Sequence, residues 1–355
     1  MLGLLERYIG KAIAKATGMT LLVLVILLVF FNLVEELDQV NRGDYQMQDA
    51  LLVAFLTAPR YLFEVFPISA LLGALLGLGG LAARSELAAM RAAGFSVRDI
   101  VLAVLKVGLL MMLAVALFSE LLAPPAERYA QRVRAEKLTG QPTLATPYGY
   151  WARDGRAFIN IRTLSSDTGL RDVYIYEFDA DNKLRLATHA DSAEFSDDHW
   201  TLRGISQSEL APGEVKARSL ASAQWDSLLD PNLLSVVLVR PTMLPIWELA
   251  EYIGFMRDNA QAATEYEVAF WLKVVNPIAT LAMLFLAVPL VVGNRRGSSI
   301  GHRIFLGAVI GSVFFMLTRA LSYIAVVFSI NPMLTSFVPA AMLVAATVAL
   351  LRRVR

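Results

Sequence analysis

The chain has 355 residues, 56% of them hydrophobic and 18% charged. An ordinary soluble domain is only about 45–50% apolar, so much of this chain belongs in lipid. A net charge of +1 gives no general basic field for nucleic acid, and the absence of cysteine excludes disulfides, thiolate catalysis and Cys-type zinc sites.

A bilayer core about 30 Å thick needs about 20 mostly apolar helical residues to cross it. The first stretch of that kind runs from Ala16 to Val34 without a charge. It is too long for the apolar part of a signal peptide and lacks a small-residue cleavage site, so it reads as a retained anchor. The second, Val65 to Ala83, is also uncharged; Gly73 and Gly77, with Gly80 one turn on, lie on one of its faces. Small residues four apart let helix backbones approach closely, so this is a packing face. Ser85 to Gly94 then reads as a short helix: Ser85 is an N-cap type residue, Glu86 sits in the first turn, Leu87, Met90 and Arg91 follow, and Gly94 is a C′ glycine. Such a helix between two spans is either an object that a soluble partner can grip or a plain interfacial linker. Ser96 and Asp99 form a capping-box pattern for the third span, Ile100 to Leu122, where Lys106 lies near enough to the start to reach the interface.

Residues from Pro124 to about Glu267 read as an inserted β domain with helical ends. Turn signals recur at Asp154-Gly155, Asp181-Asn182, Asp197-Asp198 and Pro212-Gly213 between short alternating strands, which suits a sandwich, jelly roll or open barrel. Arg128 and Arg132 fall on a helix continuing from the third span, and Trp247 to Arg257 forms an amphipathic return helix. The fourth span is Val274 to Val292. One long apolar run then splits at Asn331-Pro332 into a fifth span, Ile304 to Phe328, and a sixth, Met333 to Leu351. Gly307 and Gly311 give the fifth span a second small-residue face, toward this chain or a partner.

Six spans divide the chain into 1–123, 124–267 and 268–355. Lys and Arg mark cytoplasmic loops. Arg7, Lys11 and Lys15, then Arg84, Arg91 and Arg98, then Arg295, Arg296 and Arg303, then Arg352, Arg353 and Arg355 all fall on one side. Both termini are therefore expected in the cytoplasm, with the β domain on the other side. Arg319 lies about 22 Å along the fifth span from Ile304 at about 1.5 Å per residue, toward that far side. Such a cation either is functional, facing a hydrated cavity or an anionic head group, or snorkels to the interface. With Arg42, Arg60, Arg128, Arg132 and Arg134 toward the same face, it can meet phosphates bidentately.

Little here looks enzymatic. Gly3 to Gly10-Lys11 has the wrong spacing for a phosphate loop and no strand before it, so the chain is expected to hydrolyse no nucleotide. His189, His199 and His302 lack metal-ligand spacing, so no metal site is expected. No Gly-x-Ser-x-Gly motif occurs. A membrane enzyme would have to use Glu35, Glu36 and Asp38, the one acid cluster at a membrane face; a secondary transporter would need mid-membrane acids; a scaffold would need neither.

Arg7-Tyr8-Ile9-Gly10-Lys11, the run from Phe66 to Gly79, Arg84-Ser85-Glu86-Leu87 and Arg91-Ala92-Ala93-Gly94-Phe95 resemble the LptF/LptG permeases of the lipopolysaccharide-export ABC transporter, LptG more closely. The resemblance implies six spans with a periplasmic, jelly-roll-like all-β domain between the third and fourth. It implies a permease that pairs with an LptF-type permease and an LptB-type ATPase dimer, and that hands lipopolysaccharide to LptC- and LptA-type jelly rolls. This chain would bind no cofactor; ATP and Mg would be used by the ATPase. The short helix would be the coupling helix, with Glu86 on the ATPase groove. Phe30, Phe31, Phe314 and Phe315 become candidate acyl-chain contacts, and Arg134 matches a family arginine on the linker helix. Where family members often carry lysines at the end of the first span, this chain has Asn32, Glu35, Glu36, Asp38 and Gln39, leaving Arg42 or a bridging divalent cation to meet phosphate.

Overall fold

A computed structural model describes residues 3–139, 144–164, 169–196, 199–211, 214–225, 241–259, 261–292 and 300–353. The turns at Asp197-Asp198 and Pro212-Gly213, and Arg295, Arg296 and Arg355, lie outside them.

Among the described residues, six helices are long and apolar enough to cross a membrane. Each occupies an anticipated run, but most begin earlier, because a helix continues beyond lipid wherever its polar turns can be capped. α1 (Leu4–Leu37) starts twelve residues before Ala16, its first turn closed by Glu6, whose carboxylate accepts from the Gly3 N–H at 2.9 Å. α3 (Ala58–Ala83) starts seven residues before Val65 with a proline in its first turn. Between them lies α2 (Met47–Leu56), a short apolar helix of 10 residues, below the length a span requires. α5 (Val97–Leu121) stops where Pro124 and Pro125 withdraw two N–H donors, and the chain restarts as α6 (Ala123–Thr139), polar and outside the apolar run. After the sheet come α7 (Ile246–Asp258), close to the expected return helix, then α8 (Thr264–Val292), α9 (Ile300–Phe328) and α10 (Pro332–Arg353). The α9–α10 break falls at Asn331-Pro332, where Asn331 Oδ1 accepts from the Met333 N–H at 2.9 Å.

α3 and α8 are the inner helices, with 67% and 61% of their most apolar windows buried, against 17% for α1 and 11% for α9. The glycines explain the packing. A Cβ on Gly73 would stand 2.3 Å from Thr17 Cα, and one on Gly77 would stand 2.9 Å from Ile13 Cα, so α1 and α3 touch backbone to backbone. Gly307 and Gly311 admit Leu75, Leu72 and Ile68 of α3 against α9, so that face meets this chain's own second span. Gly80 faces open space.

Among the described residues the insert is one antiparallel sheet in sequential order: β1 (Leu144–Asp154), β2 (Ala157–Leu164), β3 (Gly169–Phe178), β4 (Leu184–Ser196), β5 (His199–Ala211) and β6 (Glu214–Trp225). The first turn is Gly155-Arg156, one position later than the Asp154-Gly155 signal, because Asp154 still pairs with Ala157. In the next hairpin Asp179 Oδ1 accepts from the N–H groups of Asp181 and Lys183, and Asn182 takes φ 58°.

One row runs across the middle of the sheet. Leu170 and Val173, Ala190 and Ala193, and Leu202 and Ile205 are all buried although three residues apart, so the two-residue period slips there in three neighbouring strands. Between them sit Asp172 (φ 56°), Asp191 and Gly204 (φ 63°), outside the regular register. A Cβ on Gly204 would lie 2.1 Å from Asp191 Oδ2, so only glycine fits. The aligned slip lets both ends of the sheet face one interior. α7 fastens the sheet to the helices: Phe255 packs on that interior, Asn259 Oδ1 accepts from the Gly155 N–H at 3.4 Å, and Tyr252 lies 4.6 Å from the Tyr266 ring of α8.

Gly73→Ala is expected to force α1 and α3 apart and cost about 1–3 kcal/mol, the usual range for overpacking. Gly80→Ala, on the same helix, should stay within about 0.5 kcal/mol of the parent. Unfolding of the two proteins in detergent decides it; equal stabilities would contradict the contact.

Candidate functional site

Two regions stand out, at opposite ends of α3. At its C-terminal end the chain passes through Arg84 and Ser85 into α4 (Glu86–Ala92). Ser85 does not cap that helix as expected: it takes φ 60°, makes no side-chain cap bond, and serves as the left-handed joint that reverses the chain. The other end follows the expectation. Gly94, at φ 93°, donates to the Arg91 carbonyl at 3.1 Å and Phe95 to the Met90 carbonyl at 2.9 Å, the paired bonds of a Schellman motif. Ser96 and Asp99 then cap α5 reciprocally.

Leu87 and Met90 bury their side chains among the spans. Ala88, Ala89, Arg91, Ala92 and Gly94 face outward and leave a small-residue surface. Glu86 has local partners: it accepts from the Tyr8 hydroxyl at 2.7 Å and pairs with Arg84 at 3.1 Å. It therefore fixes α4 to the start of α1. Nearby, Lys106 pairs with Glu6 at 2.7 Å, which binds α5 to the same end of α1.

At the N-terminal end of α3 lies a cavity of about 380 Å³, bounded by α3, α5, α6, α8, α9 and α10. Phe63, Pro67, Ile68, Ala279, Phe314 and Phe315 give it an apolar body; Arg60, Glu64, Glu127, Lys273 and Arg319 give it charge. Arg319 is bonded to Glu64, and its guanidinium lies 5.3 Å from the Phe315 ring centre. Lys273 is bonded to Glu120, whose other oxygen accepts from the Ile246 N–H at 2.8 Å. Pro67 leaves the Phe63 carbonyl without its helical donor, and Asn276 of α8 supplies one at 3.0 Å.

Of the other residues singled out in the sequence, Arg134 lies outside the cavity. It is bonded to Glu36, which is 2% exposed and also accepts from the buried Tyr45 hydroxyl at 2.9 Å. Burial and the Glu36 carboxylate push that phenol well above its usual value. This cluster ties the end of α1 to α6. Arg128 pairs with Glu248 of α7. Arg42 and Arg132 are exposed, and Phe30 and Phe31 project from the outer side of α1.

Sequence reasoning missed Glu64, Glu120, Lys273 and Tyr8. Glu64 and Lys273 each fell one residue outside a span drawn too short, and Glu120 lay unremarked near the end of the third. The signal for Glu64 was present: Arg60 and Glu64 are one helical turn apart.

Six membrane-length helices among the described residues, five of them around an amphipathic cavity, with a sheet inserted between the third and fourth spans and a short helix exposed at the far end, define a polytopic membrane protein of the transport class. The chain belongs to the family Lipopolysaccharide export system permease LptF/LptG, whose model matches residues 7–353. It is 36% identical to the lipopolysaccharide export system permease protein LptG of Haemophilus influenzae over 341 residues, 96% of this chain and 95% of that one. It is 33% identical to the protein of the same name from Escherichia coli K12 over 342 residues, with the same coverage. It is thus a transport subunit of the inner membrane, multi-pass and not an enzyme.

Arg134→Ala leaves Glu36 buried without its cation and should cost about 3–5 kcal/mol, while replacing both by methionine should restore most of it. Denaturation of the single and double variants tests this; a neutral Arg134→Ala would free that arginine for a lipid role. Asn276→Leu strands the Phe63 carbonyl and should cost about 1–3 kcal/mol in the same assay.

Proposed function

We propose that this chain is the LptG-type permease that extracts lipopolysaccharide from the inner membrane toward a periplasmic bridge, driven by ATP and Mg at a partner LptB-type ATPase dimer. The supporting observation is that one helix serves both regions: α3 lines the cavity with Arg60, Glu64 and Pro67 and runs through a two-residue joint into α4. On this reading both termini and α4 are cytoplasmic and the sheet is periplasmic. The small-residue face of α4, with Ser85, Glu86, Leu87, Met90, Arg91 and Gly94 holding its shape, seats in the ATPase.

The exposed apolar sides of α1 and α9 are where an LptF-type permease completes the pathway, since Leu22, Ile26, Phe30, Val313 and Met316 are all uncovered. Phe30, Phe31, Phe315 and Arg319 face that pathway, with Arg42 at its rim. β6 is exposed along nearly its whole length and offers its edge to LptC- and LptA-type domains by strand addition.

The test is ATPase activity and lipopolysaccharide release in proteoliposomes holding this chain with its ATPase and second permease. Glu86→Ala removes both the Tyr8 and the Arg84 contacts, and release per ATP is expected to fall about tenfold or more, equivalent to about 1.4 kcal/mol of coupling. Unchanged release would refute the role of α4.

A further inference from the structure

Four buried side-chain polar atoms among the described residues have no hydrogen-bond partner: Thr17 Oγ1, Arg60 Nε, Glu127 Oε2 and Ser336 Oγ. The last three belong to residues lining the same cavity. Glu127 and Ser336 are each 2% exposed. Buried polar groups are nearly always paired, and an unpaired buried carboxylate oxygen is costly. Three of them around one cavity point to a ligand that supplies their partners.

The three atoms state what the ligand must carry. Arg60 Nε–H needs an acceptor, Glu127 Oε2 needs a donor, and Ser336 Oγ takes either. No salt bridge joins Arg60 and Glu127 to each other or to another residue among the described residues, and a group bearing one negative and one positive charge matches both. The rest of the cavity is apolar, with Phe63, Ile68 and Phe314 beyond the charged residues. Its volume, about 380 Å³, lies at the small end of ligand sites. A small head group and the first part of one acyl chain fit; the several chains of a lipopolysaccharide do not.

We infer that the cavity is a binding site for a resident aminophospholipid. Its phosphate accepts from Arg60, its ammonium donates to Glu127 Oε2, Ser336 completes the head-group contacts, and the first part of one acyl chain enters the space between α3, α8 and α9. The site borders the pathway proposed for the transported lipid and shares Phe315 and Arg319 with it. It needs only that the chain sits in a bilayer, so it stands or falls independently of the coupling role of α4.

The experiment is native mass spectrometry of the full chain purified with its transporter partners, after exchange into micelles containing either phosphatidylethanolamine or phosphatidylcholine. The parent protein should retain one phosphatidylethanolamine per copy of this chain. It should prefer that lipid to phosphatidylcholine, whose quaternary nitrogen has no N–H to donate, by about tenfold. Glu127→Gln should abolish the preference while the assembly still elutes as one complex, and Ser336→Trp should expel the lipid by filling its place. The inference is overturned if the parent retains no phospholipid, if a detergent or a lipopolysaccharide is the species that Ser336→Trp displaces, or if Glu127→Gln leaves the preference unchanged. Failure of lipopolysaccharide release with the phospholipid still bound would count against the transport reading and leave this one intact.

Discussion

At Gly73 and Gly77 the backbone of α3 touches the backbone of α1 near Thr17 and Ile13, with no room for a side chain. In a bilayer lipid tails are as apolar as leucine, so helices gain little from hiding apolar surface from one another, and close van der Waals contact must hold them. α3 supplies it on two sides, to α1 through its own glycines and to α9 through Gly307 and Gly311. A helix gripped in this way has little freedom to rotate. The positions of Arg60, Glu64 and Pro67 at one end, and of Arg84 and Ser85 at the other, follow from that grip.

Charge obeys a second constraint. A cation in or near lipid is tolerated when it is paired or meets water. Arg319 has Glu64, Lys273 has Glu120, and Arg134 has Glu36. Each pair joins two elements distant in sequence, so each also fixes geometry: α9 to α3, α8 to α5, and α6 to α1. These contacts are better evidence for a unique arrangement than for stability, because desolvation cancels much of the attraction between buried charges. Arg60 and Glu127 break the pattern by keeping atoms without partners in the same cavity.

Much of this was legible in the sequence and some was not, for definable reasons. Apolar runs located every span, because the length requirement of a bilayer is severe. Their ends were misplaced because capped helices continue past lipid, and two charged residues of the cavity region, Glu64 and Lys273, sat just beyond the ends as drawn. Spacing revealed the glycine faces but not what they meet; for Gly307 and Gly311 the answer is the apolar side chains of α3, which carry no signature of their partner. Gly94 and the Ser96–Asp99 pair behaved as local rules require. Ser85 did not, since a reversal between two packed helices set its φ before capping could. The row through Asp172, Asp191 and Gly204 was invisible in any one strand, because it exists only when three strands are aligned.

The two ends of α3 are linked by a helix of 26 residues, about 39 Å at about 1.5 Å per residue. For events at α4 to reach the cavity, this helix must move as a body or bend at a defined place. Pro67 is such a place: it removes one helical bond at the boundary between the turns that line the cavity and the glycine-packed remainder. The missing bond is replaced by Asn276 of α8, so the angle at Pro67 is set by a neighbour and not by α3 itself. A shift of α8 against α3 would thus be felt first at Arg60 and Glu64, and through Glu64 at Arg319. Coupling of this kind needs two arrangements that differ in specific contacts. The bond between Asn276 and Phe63 is one contact that the two arrangements need not share, since the Asn276 amide can rotate away from the Phe63 carbonyl while the glycine contacts below stay closed.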